Sequence, residues 1–393
     1  MQINNIDGLI LPKKSNEEFL KINFDSLFSY DFAKAETYEF DIMGLETIVD
    51  EEKYQSVLFD ISRTLDNKQK IITINKNIPE PIFLIHKLKE NETIFTNSLK
   101  IKVAKDIKAS VVEVFVNSCQ NSFYAVNRKI ELEKNASLEY AKVQDINSSN
   151  SMIFSLAVNQ KNSSNLEISN FEYGDGFVVN SYENIINSEL ANYELNGLIK
   201  LNKEATTSNL IKTIHNEKSS ISNINYKHSL KDSSKAVFKA KSIVNETALF
   251  SKAFQNCNTI LLSDDATIFA QPHLEILIDE LEASHGTTTG TLNKEQLLYL
   301  QSRGISKNEA YEMLLSAFEN KIVDNIKDPI VVNNIIKLMP KKINNNCSYV
   351  GTATVMVKNI ELIIPEIASE INFYSDITKV ISITKPKAEC NKY

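Results

Sequence analysis

Between about Lys89 and Leu281 the apolar positions gather into short segments rich in β-branched and aromatic residues. Val111 to Val116, Leu138 to Val143, Leu195 to Leu201 and Val237-Phe238 are examples, each bounded by clusters of Asn, Ser, Asp and Lys. Short runs of this kind predict strands rather than helices. No Asn-Gly pair stands between these segments, which leans the region toward a solenoid and away from a chain of tight hairpins. A sandwich, a barrel and a β-helix all stay open on this pattern, because no repeat of fixed length stands out. Before this region, Asn16 to Leu20 and Glu51 to Leu65 have helix-like composition, with Asp50 placed to cap the second.

After Gly290 the period becomes helical. Asn293 with Gln296, and Ser306 with Glu309, form two capping-box patterns, and Gly304 stands where a helix stop favours a left-handed residue. The second pattern opens an apolar stripe, Ala310, Met313, Leu314, Ala317, Phe318 and Ile322, which Pro329 closes. A hairpin this short must dock on something, either the β region or another protein. The expected organisation is a mixed or helical region at 1–88, a β core at 89–290, a C-terminal helical domain at 291–330 and an unassigned tail at 331–393. Within the tail, 341–346 reads as a linker, and Tyr349 to Val357 and Ile360 to Ile364 are strand-like.

With 393 residues, 42% hydrophobic and 24% charged, the chain has the composition of a globular protein of two or three structural units. Its 50 acidic and 43 basic residues give a net charge of -7 without a basic run, so nucleic acid is an unsuitable partner. No apolar stretch reaches membrane-spanning or signal-peptide length, and a cytoplasmic protein with no membrane partner is expected. The four cysteines, Cys119, Cys257, Cys347 and Cys390, form no C-x-x-C pair. With no glycine-rich phosphate loop, no bound nucleotide is expected, and any ATP hydrolysis falls to a partner.

Several strings in order resemble the SufB/SufD family of iron-sulfur cluster assembly scaffolds. They are Leu261-Leu262-Ser263-Asp264-Asp265-Ala266, Pro272 with Leu274-Glu275-Ile276, Ser284-His285-Gly286-Thr287-Thr288-Thr289-Gly290, and Glu295 through Ser306. Weaker matches at Glu80-Pro81-Ile82, Asn135-Ala136, Leu138-Glu139-Tyr140, Val143-Gln144, Ile214-His215 and Gln255-Asn256, with Leu11-Pro12 followed by Glu18 and Lys21 resembling the family's opening helix, extend the resemblance over about residues 8 to 328. Ser284-His285-Gly286 looks like the SufD type, since the SufB type carries a glutamate beside its histidine. The resemblance implies a mainly β fold, a right-handed parallel β-helix flanked by N-terminal and C-terminal helical regions.

It also implies a non-catalytic scaffold that pairs with a SufB-like subunit and carries a SufC-like ABC-type ATPase on its C-terminal helices. An iron-sulfur cluster or iron would be held transiently at the subunit interface. His285 is then the expected ligand, Cys257 a secondary one, and Leu297, Leu300, Arg303, Met313, Leu314 and Phe318 the expected partner-binding residues. A neutral imidazole suits ferrous iron, and a mixed, incomplete ligand set suits a site that must release its cargo. The sequence departs from the family where a cysteine often stands, at Ala283, where a lysine is usual, at Gln271, and where the family's paired histidines are reduced to His215 alone. Two other readings compete: a β-helix enzyme acting on acidic polysaccharide, and a purely structural assembly protein in which the stripe binds a partner and no metal is touched.

Overall fold

The computed structural model describes residues 1–38, 45–117, 119–324 and 326, and the backbone of 352–356. Among the described residues it is mainly β, 51% strand and 14% helix, a parallel solenoid of about 8 turns with helices toward the termini. The N-terminal elements are a short helix α1 (Asp25–Ser29), strands β1 (Lys34–Thr37) and β2 (Glu46–Val49), and α2 (Leu58–Leu65). The first solenoid strands are β3 (Lys68–Ile74), β4 (Ile82–Leu88), β5 (Thr93–Val103), β6 (Lys108–Asn117), β7 (Phe123–Leu132) and β8 (Ser137–Ile146). They continue as β9 (Ser151–Gln160), β10 (Asn165–Gly174), β11 (Phe177–Ile186), β12 (Asn192–Leu201) and β13 (Thr206–His215). The last turns use β14 (Ile221–Leu230), β15 (Lys235–Val244), β16 (Lys252–Leu261), β17 (Thr267–Ile276) and β18 (Glu282–Gly290). Helices α3 (Lys294–Ser302) and α4 (Lys307–Val323) follow, and β19 (Thr352–Met356) is the last described strand.

From β3 to β18, odd and even strands sort into two facing sheets. One runs β17-β15-β13-β11-β9-β7-β5-β3-β2 and the other β18-β16-β14-β12-β10-β8-β6-β4-β19. The solenoid pairings are parallel and in register, while β2 and β19 lie antiparallel on β3 and β4. Those two antiparallel strands cover the sheet edges at the first end of the solenoid. Among the described residues nothing pairs with the outer edges of β17 and β18 at the other end.

Each turn stacks its corner on the next. Asp106, Asn135, Ser163, Leu190, Ser219 and Phe250 all have positive φ, from 56° to 62°. Each of their N–H groups bonds to the residue just before the equivalent corner of the next turn, as in Asp106 to the Lys134 carbonyl and Leu190 to the Lys218 carbonyl. Asn, Asp and Ser tolerate the left-handed region through local side-chain bonding, which lets the chain build corners with only 9 glycines. Asn216 donates its side-chain amide to Asn187 at 2.6 Å, and Asn245 donates to Asn216, a rung-to-rung asparagine ladder.

The sheet interior holds most of the apolar core, but it is not uniformly apolar. Glu113, Arg128, Lys142 and Glu172 are all fully buried there. Arg128 Nε donates to Glu113 Oε1 at 2.8 Å, and His86 Nε2 lies 2.6 Å from the same oxygen. One turn on, Lys142 Nζ donates to Gln144 Oε1 at 2.7 Å and to Asn180 Oδ1 at 2.6 Å. Asn180 in turn donates to Glu172 Oε1 at 2.5 Å. Buried charge survives here because each group has partners from neighbouring rungs.

The N-terminal part forms an apolar layer on the outside of the odd-strand sheet. Phe19, Phe24, Phe28, Phe32, Leu58 and Ile61 pack with Phe123, Ile153, Val179 and Leu210. Its helices are shorter than the composition predicts. Residues 17–19 make one 3₁₀ turn, and α2 begins only at Leu58. Asp50 accepts from the Glu52 N–H at 3.2 Å and from the Tyr54 hydroxyl at 2.9 Å, so it fixes a turn ahead of the helix instead of capping it.

Helix α4 lies on the outside of the even-strand sheet. Ile322, Val323 and Ile326 pack with Phe83, Val112, Val143 and Phe171. Of the tail, residues 352–356 pair with β4. The rest of the expected Tyr349–Val357 strand, the Ile360–Ile364 run, Cys347 and Cys390 lie outside the described residues.

Candidate functional site

The Ser284-His285-Gly286 motif sits on β18, the terminal strand of the even sheet. Parallel in-register pairing places Ala283 on Ala253, His285 on Gln255 and Thr287 on Cys257. Residues two apart share a strand face, so Ala283, His285 and Thr287 continue the inward-facing columns of the solenoid to its uncovered end. Ala283 packs with Val244, Ala253, Leu274 and Leu281, a small apolar floor just inside that end. His285 itself is exposed. A Cβ built at Gly286 or Gly290 would meet nothing within 4 Å, so neither glycine is there to admit a close neighbour.

His285 has one oriented contact. Its Nδ1 lies 3.3 Å from the Pro272 carbonyl oxygen of β17. A carbonyl can only accept, so Nδ1 donates, and in the neutral imidazole this tautomer keeps the lone pair on Nε2. A backbone carbonyl that fixes the tautomer of a histidine is the arrangement found behind many metal-binding imidazoles.

Cys257 stands one strand inward and two positions along. It is buried, and its Sγ lies 3.6 Å from His228 Nδ1. Burial pushes its thiol up to about 12 and holds His228 down to about 3, so both are neutral near pH 7. The structure therefore joins Cys257 to His228, a residue that no sequence motif singled out. Among the described residues no group of three or more Cys, His, Asp or Glu side chains is arranged to hold a metal ion. Glu282 forms an ion pair with Lys252 at 2.8 Å.

The partner-facing candidates divide by burial. The Ser306–Glu309 capping box is complete, Asn293 accepts from the N–H groups of Glu295 and Gln296, and Gly304 has φ +87°. Along α4 the packed face is Ala310, Leu315, Glu319, Ile322 and Val323. Lys227 donates to the Phe318 carbonyl and lies 4.4 Å from the Phe318 ring centre, while Lys200 pairs with Glu319 at 3.1 Å. Leu314 and Phe318 are half-buried, and so are Leu297 and Leu300 on α3. The exposed apolar surface is Leu298 (65% exposed), Tyr299 (58%) and Met313 (51%). The Arg303 guanidinium lies 5.3 Å from the centre of the Tyr299 ring. Leu298 and Tyr299 escape a stripe-based reading because the stripe selects residues at core spacing, and these two face away from it.

The family described as SUF system FeS cluster assembly, SufBD core domain, matches residues 85–318, from β4 to α4. The chain is similar to the iron-sulfur cluster assembly protein SufD of Escherichia coli, 32% identical over 103 residues, covering 26% of this chain and 24% of that protein. It is similar to a SufBD family protein of Synechocystis, 36% identical over 91 residues, 23% of this chain and 20% of the relative. The SufD of Bacillus subtilis matches more extensively at lower identity, 22% over 304 residues, 75% of this chain and 68% of that protein. The matches to E. coli and Synechocystis thus span about a quarter or less of the relatives' length. A β-solenoid running from β4 into a capped helical pair, matched by the core-domain family over more than half the chain, places this protein in the SufB/SufD family of iron-sulfur cluster assembly as a SufD-type member.

Proposed function

We propose that this chain is a non-catalytic scaffold subunit that lends one imidazole ligand, His285, to iron or a nascent iron-sulfur cluster. The observation that carries the reading is the Nδ1 contact to the Pro272 carbonyl, with Nε2 meeting no partner among the described residues at the β17–β18 end of the solenoid. One neutral nitrogen makes a weak partial site, and thiolate or carboxylate from a facing subunit would complete it. Cys257 is the secondary candidate; its thiol must lose both its proton and its His228 contact before it can join.

The same end of the molecule supports a partner of like architecture. Among the described residues nothing pairs with the outer edges of β17 and β18, which can accept a further strand, as exposed sheet edges do. A SufB-like subunit is the proposed occupant, with a SufC-like ABC-type ATPase on the α3–α4 surface around Leu298, Tyr299, Arg303 and Met313. In this arrangement the partner supplies ATP hydrolysis, and movement of the ATPase would open the interface where the cluster sits.

The test is co-expression with both partners under anaerobic conditions. His285→Ala is expected to lower bound iron and acid-labile sulfide by at least about fivefold, since a lost metal ligand typically weakens a site by tenfold or more. Subunit association should be intact. Unchanged iron and sulfide would remove the ligand role and leave the structural-assembly reading standing.

A further inference from the structure

A cavity of about 290 Å³ lies on the opposite side of the molecule from α4, where the N-terminal layer meets the odd-strand sheet. Its floor is two rungs of outward-facing side chains. Parallel register sets Glu183, Lys212, Lys241 and His273 side by side on β11, β13, β15 and β17, with Lys239 and Gln271 on the rung beside them. Its outer wall is Glu17 and Glu18 of the N-terminal 3₁₀ turn.

Most of these groups already have work within the fold. Lys239 donates to the Glu17 carbonyl, and Gln271 donates to the Glu17 carboxylate at 3.4 Å. Lys241 pairs with Glu275 at 2.8 Å, and Glu183 accepts from the Gln55 N–H at 3.0 Å. Two charged groups of opposite sign are left. Lys212 and Glu18 both face the cavity, and neither has a hydrogen bond or ion pair among the described residues. Burial pushes the Glu18 carboxyl up from its ordinary value and the Lys212 charge opposes that shift, yet the two do not close into an ion pair. The space between them is the cavity.

The lining holds Glu17, Glu18 and Glu183 against Lys212, Lys239 and Lys241. Balanced walls of this kind concentrate neither a simple anion nor a simple cation; they favour a molecule with both charges, set apart in space. The volume suits a small metabolite. We propose that this cavity binds a small zwitterion of the amino-acid class, its carboxylate on Lys212 and its ammonium on Glu18. Because the site bridges the N-terminal layer and the solenoid, the bound molecule ties the two together.

The full-length chain, screened by thermal shift and titration calorimetry against the standard L-amino acids, should bind at least one with a dissociation constant below about 1 mM. The corresponding acid without its amino group, and the corresponding amine without its carboxylate, should each bind at least about tenfold more weakly. Lys212→Met and Glu18→Gln should each weaken binding about tenfold, and Lys212→Arg should retain it. His285→Ala should bind as the unaltered chain does, which separates this site from the proposed metal site. The proposal is overturned if no amino acid binds at about 10 mM, if the acid or the amine alone binds equally well, or if folded Lys212→Met and Glu18→Gln variants bind unchanged. The analogue comparison uses the unaltered chain and decides the matter even where a variant fails to fold.

Discussion

Glu113 shows what a single residue contributes inside this solenoid. Burial alone would push its carboxyl up, but Arg128 and His86 against it reverse the effect and hold it well below the usual carboxylate range. Its stabilisation is therefore fully present above the unfolded carboxylate value of about 4.3 and is lost as pH falls below that toward the depressed folded value. Glu113→Gln should destabilise the protein by about 3–5 kcal/mol at pH 7, because it leaves Arg128 buried and unpaired. Denaturant unfolding at a series of pH values checks both points: the difference between wild type and variant should shrink below about pH 4. A difference independent of pH would mean that Glu113 is not ionised in the fold. None of this cluster was legible in the sequence, where Glu113, Arg128 and His86 lie in three separate segments with no motif to join them. His285 was legible only through its family motif. The Pro272 carbonyl that sets its tautomer needed the opposite sheet to be placed.

At the scale of elements, Gly197 and Tyr226 explain each other. Asn196-Gly197 looks like a hairpin turn when isolated, yet it lies in the middle of β12 and pairs in register with Asn225 and Tyr226. A Cβ on Gly197 would come within 2.3 Å of the Tyr226 ring. The glycine is there so that the ring can lie over it. Gly197→Ala should destabilise by about 1–3 kcal/mol, as overpacking does, and Tyr226→Leu in the same background should recover part of the loss. Greater loss in the double variant would show that the ring is not what the new methyl meets.

The α3–α4 pair divides into a packed face and an exposed one. Ile322→Asp should lower the unfolding midpoint sharply by burying a charge against Val112 and Phe171, with solubility and folding as the readout. Leu298→Asp or Met313→Asp should leave stability within about 0.5 kcal/mol while abolishing copurification of an ABC-type ATPase. Copurification that survives both surface changes would move the docking surface elsewhere. The two capped helices were readable from caps and period alone; which residues on them stay exposed was not, because exposure depends on β12 and β14 beneath.

At the scale of the whole molecule, the solenoid is asymmetric along its axis. Antiparallel β2 and β19 close the edges at one end, while β17 and β18 end uncovered among the described residues at the other. The strand-dominated middle was legible, but the repeat was not. Successive even strands advance by 27 to 31 residues, as in Asn165↔Asn192 and Ile221↔Lys252, so no fixed period exists to count. Buried Lys142, Glu172 and Arg128 further break the apolar alternation that marks inward positions. The family resemblance supplied the architecture that periodicity left open.

The central claim is that the uncovered end presents His285 Nε2 to iron. It is tested most directly by pulsed electron paramagnetic resonance on the reduced, cluster-bearing complex in which this chain alone carries ¹⁵N-histidine. The account predicts a nuclear modulation from one coordinated imidazole nitrogen that disappears in His285→Ala. A cluster without that modulation in the wild-type complex, or a modulation that persists in the variant, would contradict it.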